Sequence, residues 1–157
     1  MLIPYLVAGG GALILAAAGG LMTEIGPWYR DLKKPRLQPP NWLFGPAWTL
    51  ILAAAAASAA IAWDAAPDTA TKNRVILVFV VSALLHFAWS PLFFWLKRPD
   101  WSLIEIVAFW LSILWAIHTV APLSSLAAWL LLPYIVWVSF AAVLNLGIVR
   151  LNRPFTD

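Results

Sequence analysis

Five long apolar runs occupy most of this sequence and constrain its fold more than any other feature. They cover residues 2–22, 44–63, 75–96, 101–120 and 127–149. Each run is close to the ~20 residues that a helix needs to cross the hydrocarbon core of a bilayer. A chain that is 63% hydrophobic and only 11% charged also lies far outside the range of soluble domains. We therefore predict an all-α integral membrane bundle of five transmembrane helices, a single domain over residues 1–157.

A connector rich in Pro and Trp separates the first two runs. It covers residues 28–48 and reads WYRDLKKPRLQPPNWLFGPAW. Its prolines lack an amide donor and restrict the preceding residue, so one continuous helix cannot pass through it. Its aromatic side chains carry too much apolar surface to remain in water, which predicts that the connector folds back as a lid over the bundle. The alternative is a membrane-surface segment with aromatics at the headgroups. The predicted lid residues are Trp28, Tyr29, Pro35, Pro39, Pro40 and Trp42.

Lys and Arg residues are distributed unevenly between the two predicted sides of the membrane. The N-terminus, the hydrophilic stretch 64–74 and the turn at Pro122 together hold two, Lys72 and Arg74, whereas the opposite side holds eight. Because basic residues accumulate in cytoplasmic loops, we predict an outside N-terminus, a cytoplasmic connector and a cytoplasmic C-terminus. This distribution explains the net charge of +3, so no nucleic-acid partner is predicted. We predict that 64–74 is an exposed loop.

Polar residues within the apolar runs predict a pocket beneath the connector. His86 and Trp89 lie three residues apart and share a face of the third helix. Similar faces on the fourth and fifth helices carry Trp101, Glu105, Ala108 and Ser112, and Tyr134, Trp137, Ala141, Leu144 and Asn145. If the faces converge with Trp48, they enclose an aromatic pocket suited to a large flat apolar ligand. The alternative is that these residues hold the helices together by packing and hydrogen bonds.

Several specific motifs resemble those of the translocator protein family, which includes the tryptophan-rich sensory proteins of bacteria and the peripheral benzodiazepine receptors of mitochondria. They are Trp28-Tyr29, Lys34-Pro35, Pro39-Pro40, Trp42, Gly45-Pro46, Trp48-Thr49, the run WSPLFF that begins at Trp89, and Pro133-Tyr134 with Trp137, Phe140, Ala141, Leu144 and Asn145. The resemblance runs nearly from end to end. It implies a five-helix bundle, usually a homodimer, that binds porphyrins, steroids in some members, and synthetic benzodiazepine-site ligands. It favours a bacterial membrane over the mitochondrial outer membrane.

The resemblance also implies a set of pocket residues. Carried over by matching positions, they are Phe44, Gly45, Ala47, Trp48, His86, Trp89, Trp101, Ile104, Trp137, Ala141 and Leu144. We expect a membrane receptor or transporter that binds protoporphyrin IX and haem and needs no cofactor. The alternatives are a porphyrin-degrading enzyme and a steroid- or lipid-binding regulatory membrane protein. Binding is favoured over catalysis, and no catalytic residue is assigned, because the sequence has no cysteine, no metal-ligand cluster and no nucleophile paired with a base.

Three positions depart from the usual pattern of the family. His86 replaces a common Asn, Ser82 a common Gln and Leu52 a common Tyr. A neutral imidazole can bind iron, so His86 is either an axial ligand of bound haem or a residue that keeps the structural hydrogen bonds an Asn would make. No basic residue follows Tyr134 until Arg150, so the cholesterol-recognition pattern fails there and cholesterol is not expected as the main ligand. The Ala-rich second span predicts either an intramolecular seam or a dimer face.

Overall fold

Six α-helices form the protein in a computed structural model that describes residues 2–155. They are α1 (Leu2–Met22), α2 (Pro27–Asp31), α3 (Phe44–Ala65), α4 (Thr69–Ser90), α5 (Pro99–Val120) and α6 (Ser125–Asn152). A 3-10 turn, Asn41–Leu43, precedes α3, and a π-helical turn, Pro91–Trp95, continues α4. All but the short α2 are long and apolar enough to cross a membrane. The predicted all-α bundle of five spans is confirmed.

Helix α4 begins earlier than the sequence predicted. The stretch 64–74 was expected to be an exposed loop, but α3 runs to Ala65 and α4 starts at Thr69. The cause is an N-cap, because the Asp68 carboxylate accepts a hydrogen bond of 2.7 Å from the backbone N–H of Thr71. This bond also lowers the pKa of the exposed Asp68 carboxyl. The hydrophilic loop therefore shortens to residues 66–68.

Helices α3 to α6 enclose the core. Helix α5 packs between α4 and α6, and α3 packs against α1 and α6. The fully buried side chains include Val78, Ile113, Val120, Leu131 and Val138. Two buried hydroxyls add bonds between helices: Ser58 Oγ donates to the Ala127 carbonyl oxygen at 2.7 Å, and Ser82 Oγ lies 3.0 Å from Ser112 Oγ. Small hydroxyl residues of this kind allow close approach of membrane helices and bond across them.

Helix α1 lies at the edge of the bundle. Met22 at its C-terminal end is its single buried side chain among the described residues. A Cβ atom added at any of its glycines, including Gly9 and Gly11, would meet no atom within 4 Å. Its main contact is α3. Most of the surface of α1 therefore faces away from the protein.

The connector bends and packs onto one end of the bundle, as its prolines and aromatic residues predicted. Its first part, α2, packs Trp28 and Tyr29 against Phe93 of the π turn, with ring centroids 6.0 and 6.4 Å apart. The side-chain amide of Asn152 accepts from the Lys33 backbone N–H and donates to the Lys33 carbonyl oxygen, both at 2.8 Å. The connector is thus fixed to the π turn and to the C-terminal end of α6.

Candidate ligand-binding cavity

A cavity of about 420 Å³ lies inside the bundle beneath the connector. Its walls come from α1, α3, α4, the π turn, α5 and α6, and Tyr29, Gln38 and Asn41 of the connector border it. Small-molecule sites usually enclose about 300–1,000 Å³ and are lined mainly by apolar and aromatic side chains. The size and position of this cavity fit such a site.

Aromatic rings form much of the cavity wall. The Trp48 ring stands edge-on to His86, with centroids 4.7 Å apart, and lies 6.2 Å from the Trp137 ring. Trp137 is also 5.8 Å from Phe44. On another side, Trp89 stacks on Phe93 at 4.9 Å with an interplanar angle of 22°. These rings present broad apolar surfaces to whatever occupies the cavity.

Helix α1 contributes a wall of small residues that the sequence analysis did not assign to the site. Ala16, Gly19 and Gly20 line the cavity, and an added Cβ at either glycine would meet nothing within 4 Å. The signal in the sequence was the recurrence of small residues every four positions on α1, which indicates one small face but not what lies opposite it.

Gln38 and Asn41 of the connector border the cavity and were not assigned from the sequence, whereas Tyr29, their neighbour there, was predicted as a lid residue. Gln38 Nε2 donates to the Tyr29 hydroxyl at 2.7 Å, and that hydroxyl lies 3.5 Å from Asn41 Oδ1. Burial raises the pKa of the Tyr29 phenol, and the bond from Gln38 opposes the shift. Gln38 Oε1 is buried and has no partner among residues 2–155. Tyr29, Gln38 and Asn41 therefore form a small polar network within the lid.

His86, which lines the cavity, forms a hydrogen-bonded pair with Tyr134. His86 Nδ1 lies 2.8 Å from the Tyr134 hydroxyl, and the rings of both pack edge-on against Phe109, at 5.4 and 5.7 Å. Tyr134 is only 4% exposed. The other ring nitrogen of His86, Nε2, makes no hydrogen bond to any residue in the described part of the chain. His86 therefore makes a structural hydrogen bond and still has a nitrogen for a ligand.

Eight of the residues that the family resemblance implied for the pocket do line this cavity. They are Phe44, Gly45, Trp48, His86, Trp89, Trp137, Ala141 and Leu144. Ala47, Trp101 and Ile104 lie outside it. Helix α5 turns Ile106 and Phe109 towards the cavity, so Trp101 and Ile104, which are 47% and 74% exposed, point outward. Trp101 instead packs its ring under the Arg98 guanidinium at 4.3 Å.

The six predicted lid residues occupy different places in the connector. Tyr29 lines the cavity and Trp28 packs on Phe93. Pro35 sits against α6 so closely that a Cβ added at Gly147 would lie 3.0 Å from its ring. Pro39 and Pro40 precede the 3-10 turn, in which Trp42 is 70% exposed. Only Tyr29 among the six borders the cavity itself.

The fold and the cavity together define a class: a multi-pass integral membrane protein with five membrane-spanning helices and an aromatic cavity bordered by a connector. Comparison with known proteins narrows the class. The model of the TspO/MBR family matches residues 2–151, and this chain belongs to that family. The resemblance inferred from the motifs is thereby confirmed.

Relatives from three kinds of organism show the same relationship. The chain is 38% identical to the tryptophan-rich protein TspO of Archaeoglobus fulgidus over 142 residues, which cover 89% of this chain and 91% of the relative. It is 32% identical to protein CrtK of Rhodobacter capsulatus over 148 residues, 92% of each chain. It is 34% identical to the translocator protein of Homo sapiens over 129 residues, 80% and 75% of the two chains. Membership supports a receptor- or transporter-type role in a lipid bilayer.

Proposed function

We propose that this protein is a membrane receptor or transporter that binds tetrapyrroles, protoporphyrin IX and haem among them, in the cavity beneath the connector. The observation that carries the proposal is the aromatic-walled cavity of about 420 Å³ in a chain of the TspO/MBR family. A flat macrocycle gains area burial and ring stacking together against Trp48, Trp89 and Trp137. The small wall residues of α1 leave volume for such a ring.

The proposal includes the setting of the protein. We place it in a bacterial membrane, which the family resemblance favours. We place the connector on the cytoplasmic side, because Lys and Arg are in excess there. We also propose a homodimer, as the family resemblance implies. Ala55, Ala60 and Ala62 of α3 are buried within the chain, so these three alanines form an intramolecular seam.

The test is a titration of protoporphyrin IX into protein in nanodiscs, followed by quenching of Trp emission. Trp89→Ala and Trp137→Ala should each weaken binding about twofold to tenfold, because an aromatic contact contributes roughly 0.5–1.5 kcal/mol beyond area burial. The matched control is Trp129→Ala, since Trp129 lies on α6 outside the cavity and is 68% exposed. Unchanged affinity in both cavity variants would remove this cavity from the proposal.

A porphyrin-degrading activity is the second candidate, because the Trp48 and His86 rings pack edge to face, 4.7 Å apart, at the same cavity. The two candidates separate when the complex is kept dark or illuminated and its absorbance is followed. Binding alone leaves the ring absorbance equal to that of a protein-free control. Faster loss of the ring absorbance, with a new bilin-like product, would establish degradation. Competition by a steroid in the same titration tests the lipid-binding alternative.

A further inference from the structure

We infer that His86 is an axial ligand for the iron of bound haem. Tyr134 positions the imidazole of His86, and Glu105 accepts a hydrogen bond from the Tyr134 hydroxyl when His86 binds the iron. The inference rests on the proposed tetrapyrrole site. It goes further by naming the atom that would select an iron-containing ring over a metal-free one.

His86 has the surroundings that an iron ligand needs. It borders the cavity, and its ring is held edge-on by Trp48 at 4.7 Å and by Phe109 at 5.4 Å. Its Nε2 atom has no protein partner among residues 2–155. A neutral imidazole nitrogen in an apolar pocket is a common axial ligand of haem iron. The haem would supply the iron, and the protein supplies an oriented nitrogen at the cavity wall.

Tyr134 provides the outer contact that orients such a ligand. Imidazoles that bind metals usually hold their second ring nitrogen in a hydrogen bond, which fixes the orientation of the ring. Here the Tyr134 hydroxyl lies 2.8 Å from Nδ1, which leaves Nε2 as the nitrogen available to the cavity. The phenol is buried and its ring is packed by Trp48 and Phe109, so its position is fixed in turn.

The direction of this hydrogen bond differs between the free and the ligated arrangement. The Tyr134 hydroxyl has no other hydrogen-bond partner in the described chain. Because a buried O–H needs an acceptor, we infer that in the free protein it donates to Nδ1 and that the imidazole proton resides on Nε2. Ligation through Nε2 moves that proton to Nδ1, which then donates to the phenol oxygen. The number of protons is unchanged, but the phenol O–H needs a new acceptor.

Glu105 supplies that acceptor. It lies on α5 one turn before Phe109, whose ring packs against the Tyr134 ring at 5.7 Å. Both carboxyl oxygens of Glu105 are buried and neither has a hydrogen-bond partner among residues 2–155. An unpartnered carboxyl inside a membrane helix bundle is costly unless it has a role. Accepting a hydrogen bond from the Tyr134 hydroxyl in the haem-bound protein would give the buried Glu105 carboxyl such a role.

The experiment compares ferric haem with metal-free protoporphyrin IX on the same purified protein in nanodiscs. We expect the wild type to bind haem more tightly than the metal-free ring. His86→Asn should shift the Soret band and the EPR signal of the haem and lower haem affinity at least tenfold, while metal-free binding changes less than twofold. The chain has two histidines, and the exposed His118 provides the control: His118→Asn should change neither ligand.

Two further sets of variants test the positioning roles. Tyr134→Phe and Glu105→Leu should each alter the Soret band and weaken haem severalfold, whereas Glu105→Gln, which keeps an acceptor oxygen, should retain most of the affinity. His86→Gly with added imidazole should recover the wild-type haem spectrum, which separates ligation from an effect on folding.

The outcomes distinguish this inference from the proposed function. Equal effects of His86→Asn on both ligands, or no effect on either, would reject ligation and leave His86 as a structural partner of Tyr134. A wild type that binds the metal-free ring as tightly as haem would also reject ligation, with the tetrapyrrole site intact. A wild type that binds neither ring would overturn both.

Discussion

Asn145 joins three helices through one side-chain amide. Its Nδ2 donates to the Pro99 carbonyl oxygen at 2.8 Å, and its Oδ1 accepts from Trp89 Nε1 at 3.2 Å. The Ser102 hydroxyl lies 3.0 Å from both Asn145 Oδ1 and the Pro99 oxygen, so its one proton is shared between them. Asn145 is 1% exposed. Its bonds fix the wall residue Trp89 and hold α4, α5 and α6 together at the cavity.

Replacing Asn145 by Leu should therefore destabilise the fold. We expect a loss of about 2 kcal/mol, because interhelical hydrogen bonds in membrane proteins average roughly 0.6 kcal/mol each and buried partners left unpaired add to the cost. The measurement is unfolding by SDS in mixed micelles. Ser139→Ala is the control, since it removes an exposed bond of 2.8 Å to Trp110 Nε1. A control variant that loses as much stability would argue against a special role for Asn145.

The connector is a lid held by backbone contacts. Asn152 pairs with both backbone groups of Lys33, and Lys34 Nζ donates to the Tyr29 carbonyl oxygen at 2.7 Å, near the end of α2. Pro35 rests where Gly147 leaves α6 without a side chain. These contacts fix the backbone on both sides of the bend. None of these contacts is made by an aromatic ring, although aromatic residues were the most distinctive feature of the connector in the sequence.

Gly147→Ala should loosen this lid without unfolding the helix. The added Cβ would lie 3.0 Å from the Pro35 ring, so the connector must shift by a few tenths of an ångström or more. We expect faster amide hydrogen exchange over residues 32–38, measured by mass spectrometry. Gly9→Ala is the control, because its Cβ meets nothing within 4 Å and Ala favours the helix. Equal exchange in wild type and Gly147→Ala would show that the contact does not hold the connector.

The distribution of charge and the direction of the helices agree on one orientation in the membrane. The connector and the end of α6 are bonded to each other, so both lie at the same face of the membrane. The α3–α4 loop lies one span away from the connector. The face that holds the connector carries eight of the ten Lys and Arg residues. Basic residues retained on the cytoplasmic side would orient the whole bundle.

Because the natural chain has no cysteine, single cysteines can report this orientation without background. Cysteines placed at Lys33 and Arg153 should react with a membrane-impermeant maleimide from the cytoplasmic side, and one at Asp68 from the opposite side. Intact and inverted vesicles distinguish the two. Labelling of Lys33 and Asp68 from one side would be incompatible with a single span between them.

The number of membrane-spanning helices could be predicted from the sequence, but the residues on their inward faces could not. Apolar length alone specifies a membrane span, so five runs gave five helices. The start of α4 was missed because the hydrophilic residues after Asp68 resemble a loop until the cap is seen. The inward face of α5 was missed at Trp101 and Ile104, since a helix that is apolar all round has no polar face to mark its lipid side.

The π turn after α4 limits how sequences of this kind can diverge. The Leu96 N–H bonds to the Pro91 carbonyl oxygen five residues earlier, at 2.9 Å, so the turn holds one residue more than an α-helix would. Each residue of an α-helix advances the direction of the side chain by about 100°. Deleting one residue here would rotate the chain that follows by that angle relative to α4 and separate Phe94 from Tyr29, whose ring centroids are 5.5 Å apart. Substitutions in this stretch can therefore be tolerated, but a change of its length would remove the aromatic contacts on which the connector packs.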